Sequence, residues 1–278
     1  MVNRIGIIGT GRLGLSIAKA IEKHCSVVWV CNRQGMDIPG FRTFSIDYLP
    51  NEMIQEVDCI AICTTDNEIE NVVTKIVQIS TDLEKKIFFH CSGAQSVTIL
   101  QPLQQCGANI VAMHPYQTLP FVDKDLLQSI PWLIEGEDEA FIQIEPLLKK
   151  MNAKVYKTSK ILTKEEKLLW HSTAVISSNF TATLYQIAAS VINHIGIETP
   201  EMFIESIAQQ TITNAHTSLQ KNGHIVMSGP IIRGDLNIVD LEITALNTIN
   251  PLFSTLYKQL SEATVQISTS TLNDSPIK

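Results

Sequence analysis

Ile5-Gly6-Ile7-Ile8-Gly9-Thr10-Gly11-Arg12-Leu13-Gly14 stands within the first fourteen residues, and a further apolar stretch follows it over residues 15–21. The run reads as a strand, a tight turn and the start of a helix. Gly9 permits the turn, Gly11 lets backbone approach a pyrophosphate, and Gly14 lets the helix pack close to the strand. Thr10, Arg12 and Leu13 complete the loop. The N-terminus of the helix offers free N–H groups and a partial positive charge to phosphates. The pattern implies a dinucleotide site. A glycine-rich turn in some other α/β protein is the alternative, and the strand before and helix after the loop argue against it.

Further along, residues 27–31, 58–63, 86–90, 109–114, 132–135 and 154–156 read as strands. Residues 69–79, 96–105 and 139–150 have helical spacing. Such alternation implies a mostly parallel sheet with helices on both faces. The pattern changes near Thr158. Thr163-Lys164-Glu165-Glu166 fits a capping box, and neither proline nor glycine follows until Gly196. This predicts a helix of roughly 30 residues, about 45–50 Å long. Its second half is apolar all round, as in a helix buried in a bundle or an oligomer interface. Residues 200–221, 238–250 and 251–265 read as helices, 228–235 as a loop, and the polar tail after Ser268 as frayed. The expected domains are residues 1–158, an α/β dinucleotide-binding domain, and 159–278, an all-α domain with one long helix.

The 278 residues are 45% hydrophobic and 18% charged, with a formal net charge of −7. That balance argues against general binding of nucleic acid or anionic membranes. The first strand begins too early for a secretory leader to precede it. No apolar stretch reaches the ~18 residues of a membrane span. Six cysteines without a CxxC pair read as small buried hydrophobes in a reducing cytoplasm. The histidines show no metal-ligand spacing with them, so no metal is expected.

The second strand should end in an acid if the cofactor is NAD, because a carboxylate bonds the ribose 2′-OH. Here it ends Cys31-Asn32-Arg33-Gln34. Arg33 can pair with a 2′-phosphate, and Asn32 can bond ribose or phosphate oxygens without charge conflict, so NADP is favoured over NAD. A solvated loop arginine is the alternative for Arg33, and for Arg12. Thr64 and Thr65 follow the strand at 58–63, where loops pass over the middle of the cofactor; Asp66 reads first as a helix N-cap.

Ser92 and Gly93 follow the next strand, where they serve either a substrate carboxylate or a plain turn. His114 closes the strand after that, as a substrate ligand or as a hydrogen-bonded structural histidine. Lys167 and His171 lie four apart, on one face of the long helix. Reduction of a carbonyl or imine needs a hydride donor and a group that protonates oxygen or nitrogen, and this pair suits the second task. An exposed lysine in a charged first turn is the competing reading. Asn179 lies further along the helix. Arg233 could clamp a carboxylate, while Asp235 caps the next helix or orients Arg233.

Together, the glycine loop, Asn32-Arg33, His90-Cys91-Ser92-Gly93, His114-Pro115, Lys167 with His171, Ser178-Asn179 and Gly229-Pro230 with Arg233-Gly234-Asp235 resemble a family across nearly the whole chain. It is the family of Rossmann-like proteins with a C-terminal domain of unknown function (2520), described as NADP oxidoreductases of unassigned substrate. The resemblance implies a cytoplasmic NADP-dependent oxidoreductase acting on a small, anionic carbonyl or imine compound. It also implies a homodimer formed through a helical domain like the C-terminal domain of 6-phosphogluconate dehydrogenase. The β-hydroxyacid dehydrogenases share the layout. They carry a serine loop similar to Ser92-Gly93 and a helix lysine matched by Lys167, but His171 stands where they have asparagine. Pyrroline-5-carboxylate reductase has a loop in the place of residues 228–235, richer in glycine and threonine. An imine reductase of that kind, or a non-catalytic NADP-binding regulator, are the alternative functions.

Overall fold

A computed structural model describes the backbone of residues 2–273 and the side chains of residues 2–268. The chain divides into two compact units, Met1–Ser178 and Asn179–Lys278. In the first, β1 (Arg4–Ile8), α1 (Arg12–Ile21), β2 (Ser26–Asn32), β3 (Thr43–Ser45), α2 (Asn51–Gln55), β4 (Cys59–Ile62), α3 (Ile69–Ile79) and β5 (Ile87–His90) are followed by α4 (Gln101–Gln105), β6 (Asn109–Pro115), β7 (Pro131–Gly136), α5 (Asp138–Lys150) and β8 (Lys154–Lys157). The sheet order is β3-β2-β1-β4-β5-β6-β7-β8. It is parallel from β3 to β6. β7 pairs antiparallel to β6, and β8 runs parallel to β7.

Alternate side chains of the central strands feed two cores, one on each face. Ile5, Ile7, Ala61 and Phe89 pack with Ile17 and Ile21 of α1 and with Ile144 and Leu148 of α5. Ile8, Ile60, Ile62 and Phe88 pack with Val72, Val73 and Ile76 of α3 and with Leu103 of α4. Burial on both faces is why these strands read as unbroken apolar runs. Each such valine, leucine, isoleucine or phenylalanine withdrawn from water contributes about 1.5–3 kcal/mol.

The capping box at Thr163 forms as the sequence predicts. The Thr163 hydroxyl accepts from the Glu166 amide at 3.2 Å, and the Glu166 carboxylate accepts from the Thr163 amide at 2.9 Å. It starts α6 (Lys164–Ala174), which passes through a π-helical turn at Val175–Phe180 into α7 (Thr181–His194). The sheet ends where the sequence places the domain boundary, but the first compact unit keeps α6, because α6 packs side chains against β6 and β7. This 31-residue helix corrects the expectation that nothing is long and apolar enough to span a membrane: by length and composition alone, Lys164–His194 is. Scattered serines, threonines and asparagine break every apolar run in it, yet few charges occur.

The second unit holds α7, α8 (Pro200–Asn222), the short α9 (Pro230–Arg233), α10 (Leu236–Ile249) and α11 (Pro251–Asn273). The Tyr257 hydroxyl of α11 donates to Glu242 of α10 at 2.5 Å. Residues 269–273, expected to fray, continue α11; the rest of that tail, 274–278, lies outside the described residues. Few apolar side chains of this unit are buried. Ile204 and Val239 are, whereas Ile207 and Leu241 are 68% and 65% exposed.

Candidate active site

Beyond the carboxyl ends of β1, β2 and β4 lies a cleft of about 490 Å³ lined by the glycine loop, Asn32, Arg33, Thr64 and Thr65. Gly9 has φ +107, and a Cβ there would come within 2.5 Å of the Cys63 carbonyl group. A Cβ on Gly14 would come within 1.9 Å of the Gly9 carbonyl oxygen. A Cβ on Gly11, by contrast, would project into open space. The loop is thus closed where strand meets helix and bare where a ligand would pass. α1 has no side-chain cap, so its first amides are available. The Thr64 hydroxyl, also in the cleft, is buried with no hydrogen-bond partner in the protein. A diphosphate would satisfy both. Leu13 packs against the core and does not line the cleft.

Two residues assigned to the cofactor are occupied elsewhere. The Asn32 amide donates to the Met36 carbonyl at 2.8 Å and accepts from the amides of Gln34 and Met36. It shapes the loop that carries Arg33 instead of reaching out to ribose. Arg12 donates to the Pro120 carbonyl at 3.1 Å and ties down the segment between β6 and β7. Arg33 itself is 73% exposed and pairs with Glu68 at 3.2 Å, while Lys75 pairs with Asp47 nearby. Asp66 is not an N-cap: it opens a 3₁₀ turn whose cap is Thr65.

The sulfurs of Cys63 and Cys91 lie 3.9 Å apart, so the loops leaving β4 and β5 run side by side. The second loop leads to an ionisable cluster. Lys167, from the first turns of α6, is 1% exposed, and so is Glu135 of β7; Nζ lies 3.8 Å from Oε2. This excludes the reading of Lys167 as a solvated lysine. The other Glu135 oxygen, Oε1, accepts from the Ser96 hydroxyl at 2.9 Å and the Val97 amide at 2.8 Å. Burial pushes the Lys167 pKa below its usual range, against the pull of the Glu135 carboxylate. Its ammonium therefore releases a proton more readily than an exposed lysine does.

Two imidazoles share this surrounding. His90 is fully buried, with Nδ1 accepting from the Ser92 amide at 3.2 Å. Burial and the Lys167 charge push its pKa down to about 3. His114 is pushed down to about 4 by burial first and then by the charges of Lys167 and His171. The Trp170 indole N–H donates to His114 Nδ1 at 3.0 Å. His114 and His171 have ring centroids 6.3 Å apart, and a Cβ on Gly93 would meet His114 Nε2 at 2.7 Å and His171 Cδ2 at 3.0 Å. Ser92 serves as the turn: its hydroxyl accepts from the amides of Ala94 and Gln95 at 3.1 and 3.0 Å.

The structure thus brings Gly93, His114, Lys167 and His171 together. Asn179, Arg233 and Asp235 belong to the second unit. There Asp235 makes no side-chain cap for α10 and instead pairs with Arg233 at 3.0 Å, the second of the two roles the sequence allowed. Glu135 and Trp170 escaped the sequence reading. The one signal was a carboxylate ending the apolar run Trp132-Leu133-Ile134, a residue type almost never buried unpaired. Among the described residues, no histidine, cysteine or carboxylate group is arranged to hold a metal.

Residues 2–115 match the model of a Rossmann-like domain, and residues 130–264 match that of a domain of unknown function, DUF2520. No curated protein sequence matches the chain. Among solved structures, the chain is similar to the "putative NADP oxidoreductase BF3122" of Bacteroides fragilis, at 20% identity and TM-score 0.72, over 94% of this chain and 97% of that one. It is also similar to the reductive aminase of Aspergillus terreus in complex with NADPH and ethyl levulinate, at 16% identity and TM-score 0.71, over 96% and 94% of the two chains. The imine reductase of Myxococcus stipitatus in complex with NADP+ aligns at 15% identity and TM-score 0.67, over the same shares.

Proposed function

We propose that this chain, a Rossmann-like protein carrying a DUF2520 domain, is an NADP-dependent oxidoreductase acting on a small carbonyl or imine compound, with an anionic group as part of the substrate. The observation that carries the reading is the buried ammonium of Lys167, set beside His114 and His171 in the same unit as a bare glycine cradle. NADP complexes among similar structures support the cofactor. Bound NADPH would supply the hydride. The glycine loop and Thr64 would hold its diphosphate, and Arg33 its 2′-phosphate. Lys167 holds the proton at Nζ. Its positive charge, in a low-dielectric surrounding, favours negative charge developing on a substrate oxygen. His171, half-buried on the same face of α6, stands nearer the solvent and is the second candidate for the proton. Imine reduction is the second reading, favoured by the names of the similar reductive aminase and imine reductase.

The test begins with binding. NADPH fluorescence titration should give saturable binding, and absorbance should then fall with one class among 2-oxo acids and cyclic imines, or rise with 3-hydroxy acids and NADP+. Arg33→Ala should weaken NADPH at least tenfold, about 1.4 kcal/mol, while leaving NADH nearly unchanged. Equal loss for both nucleotides would remove the 2′-phosphate assignment, and no binding of either would end the proposal.

The same reading makes the protein a cytoplasmic homodimer associated through the second unit, as a surface with many exposed isoleucines and leucines requires cover. The six cysteines are free, as suits a reducing compartment. Sedimentation equilibrium should give twice the 30.9 kDa of one chain; a monomer at micromolar concentration would discard this association.

A further inference from the structure

The indole of Trp170 can only donate, so the hydrogen bond it makes at 3.0 Å fixes Nδ1 of His114 as an acceptor. In a neutral imidazole the hydrogen must then sit on Nε2. We propose that Trp170 is a positioning residue that locks His114 as an Nε2–H donor, and that the substrate atom meeting it is an acceptor, a carbonyl or carboxylate oxygen and not a protonated imine nitrogen. The substrate half of this statement rests on the oxidoreductase reading above; the tautomer half does not.

Three further observations carry it. The indole is itself held: its ring lies 5.0 Å from Tyr116, and the Tyr116 hydroxyl bonds Thr173 at 2.9 Å, one turn along α6. Strand β6 and helix α6 are therefore tied at two points that together set the imidazole plane. Gly93 keeps a side chain off the Nε2 edge, since a Cβ there would press on Nε2 at 2.7 Å. Finally, the neighbours keep the ring neutral. Burial does most of this, and the charges of Lys167 and His171 of α6, which face His114, add to it; Glu135 of β7 stands behind Lys167. A neutral Nε2–H beside an ammonium is a paired donor site. An acceptor oxygen gains from both groups, whereas an iminium N–H⁺ is repelled by Lys167 and finds no lone pair on Nε2.

Nitrogen-15 NMR of the histidine side chains tests the lock without any turnover. In the unaltered protein, His114 should show a protonated Nε2 and an unprotonated Nδ1 from pH 8 to pH 5, with a coupling across the hydrogen bond to the Trp170 indole nitrogen. Trp170→Phe should abolish that coupling and mix the two tautomers. A wild-type His114 carrying its hydrogen on Nδ1, or an unchanged tautomer in Trp170→Phe, would overturn the lock; the wild-type measurement decides even if Trp170→Phe does not fold. In the kinetic arm, Trp170→Phe should lower kcat/KM for an oxo substrate by about tenfold or more, since a wrong tautomer is costly, with NADPH affinity unchanged. Turnover confined to protonated cyclic imines would overturn the acceptor assignment. Turnover of no compound would end the oxidoreductase reading and leave the tautomer result standing.

Discussion

Lys167→Met is expected to cost about 3–5 kcal/mol of stability, because it leaves the Glu135 carboxylate buried without its counter-charge. Glu135→Gln should cost a comparable amount for the opposite reason, an ammonium stranded among apolar side chains and two imidazoles. Both groups are 1% exposed, so solvent cannot take over the role of the missing partner. The double variant should be more stable than the sum of the two losses implies, by about 1–3 kcal/mol, since it buries no net charge. Urea denaturation followed by circular dichroism measures all four corners of the cycle. Strict additivity would show that the two charges do not sense one another. Turnover should fall by about 10²–10⁴-fold in each variant that folds, the usual worth of a general acid. Lys167→Met retaining full turnover would remove it from the chemistry and leave His171.

The second large effect separates two glycines three residues apart. Gly14→Ala forces a methyl group to within 1.9 Å of the Gly9 carbonyl oxygen, so α1 must move off β1 or the loop must open. Thermal stability and NADPH binding should both fail. Gly11→Ala meets no protein atom within 4 Å and should leave the melting temperature within a degree or two. It should still weaken NADPH by tenfold or more, because the added methyl occupies the path of the diphosphate. Gly11→Ala with undiminished NADPH affinity would mean that the cofactor does not lie across this loop.

What the sequence disclosed depended on how local the causes were. β1, β4 and β5 are covered on both faces, so their composition alone announces them. The Thr163 cap is written in four consecutive residues. β3 escaped because Thr43-Phe44-Ser45 is short and half-buried, and nothing in three residues marks an edge strand. Residues 96–105 read as one helix but form a 3₁₀ turn and then α4, with Pro102 entering at the start of the latter. Of the site, Lys167 and His171 could be found from their spacing. Glu135 could not, since its partner stands 32 residues on, across the connection from β7 through β8 to α6. Asn32 and Ser92 illustrate the converse. Each is a polar residue in the right loop, and each spends its hydrogen bonds on the backbone around it, which no spacing rule reveals.

Arg33 enters the cleft with its own counter-ion. Because Glu68 already balances the guanidinium, a phosphomonoester arriving there exchanges one anion for another and does not neutralise a bare cation. The electrostatic gain of docking is the difference between two pairings, smaller than either. A grip of that kind would discriminate between nucleotides while letting the spent one leave, as the proposed oxidoreductase would require of its hydride carrier.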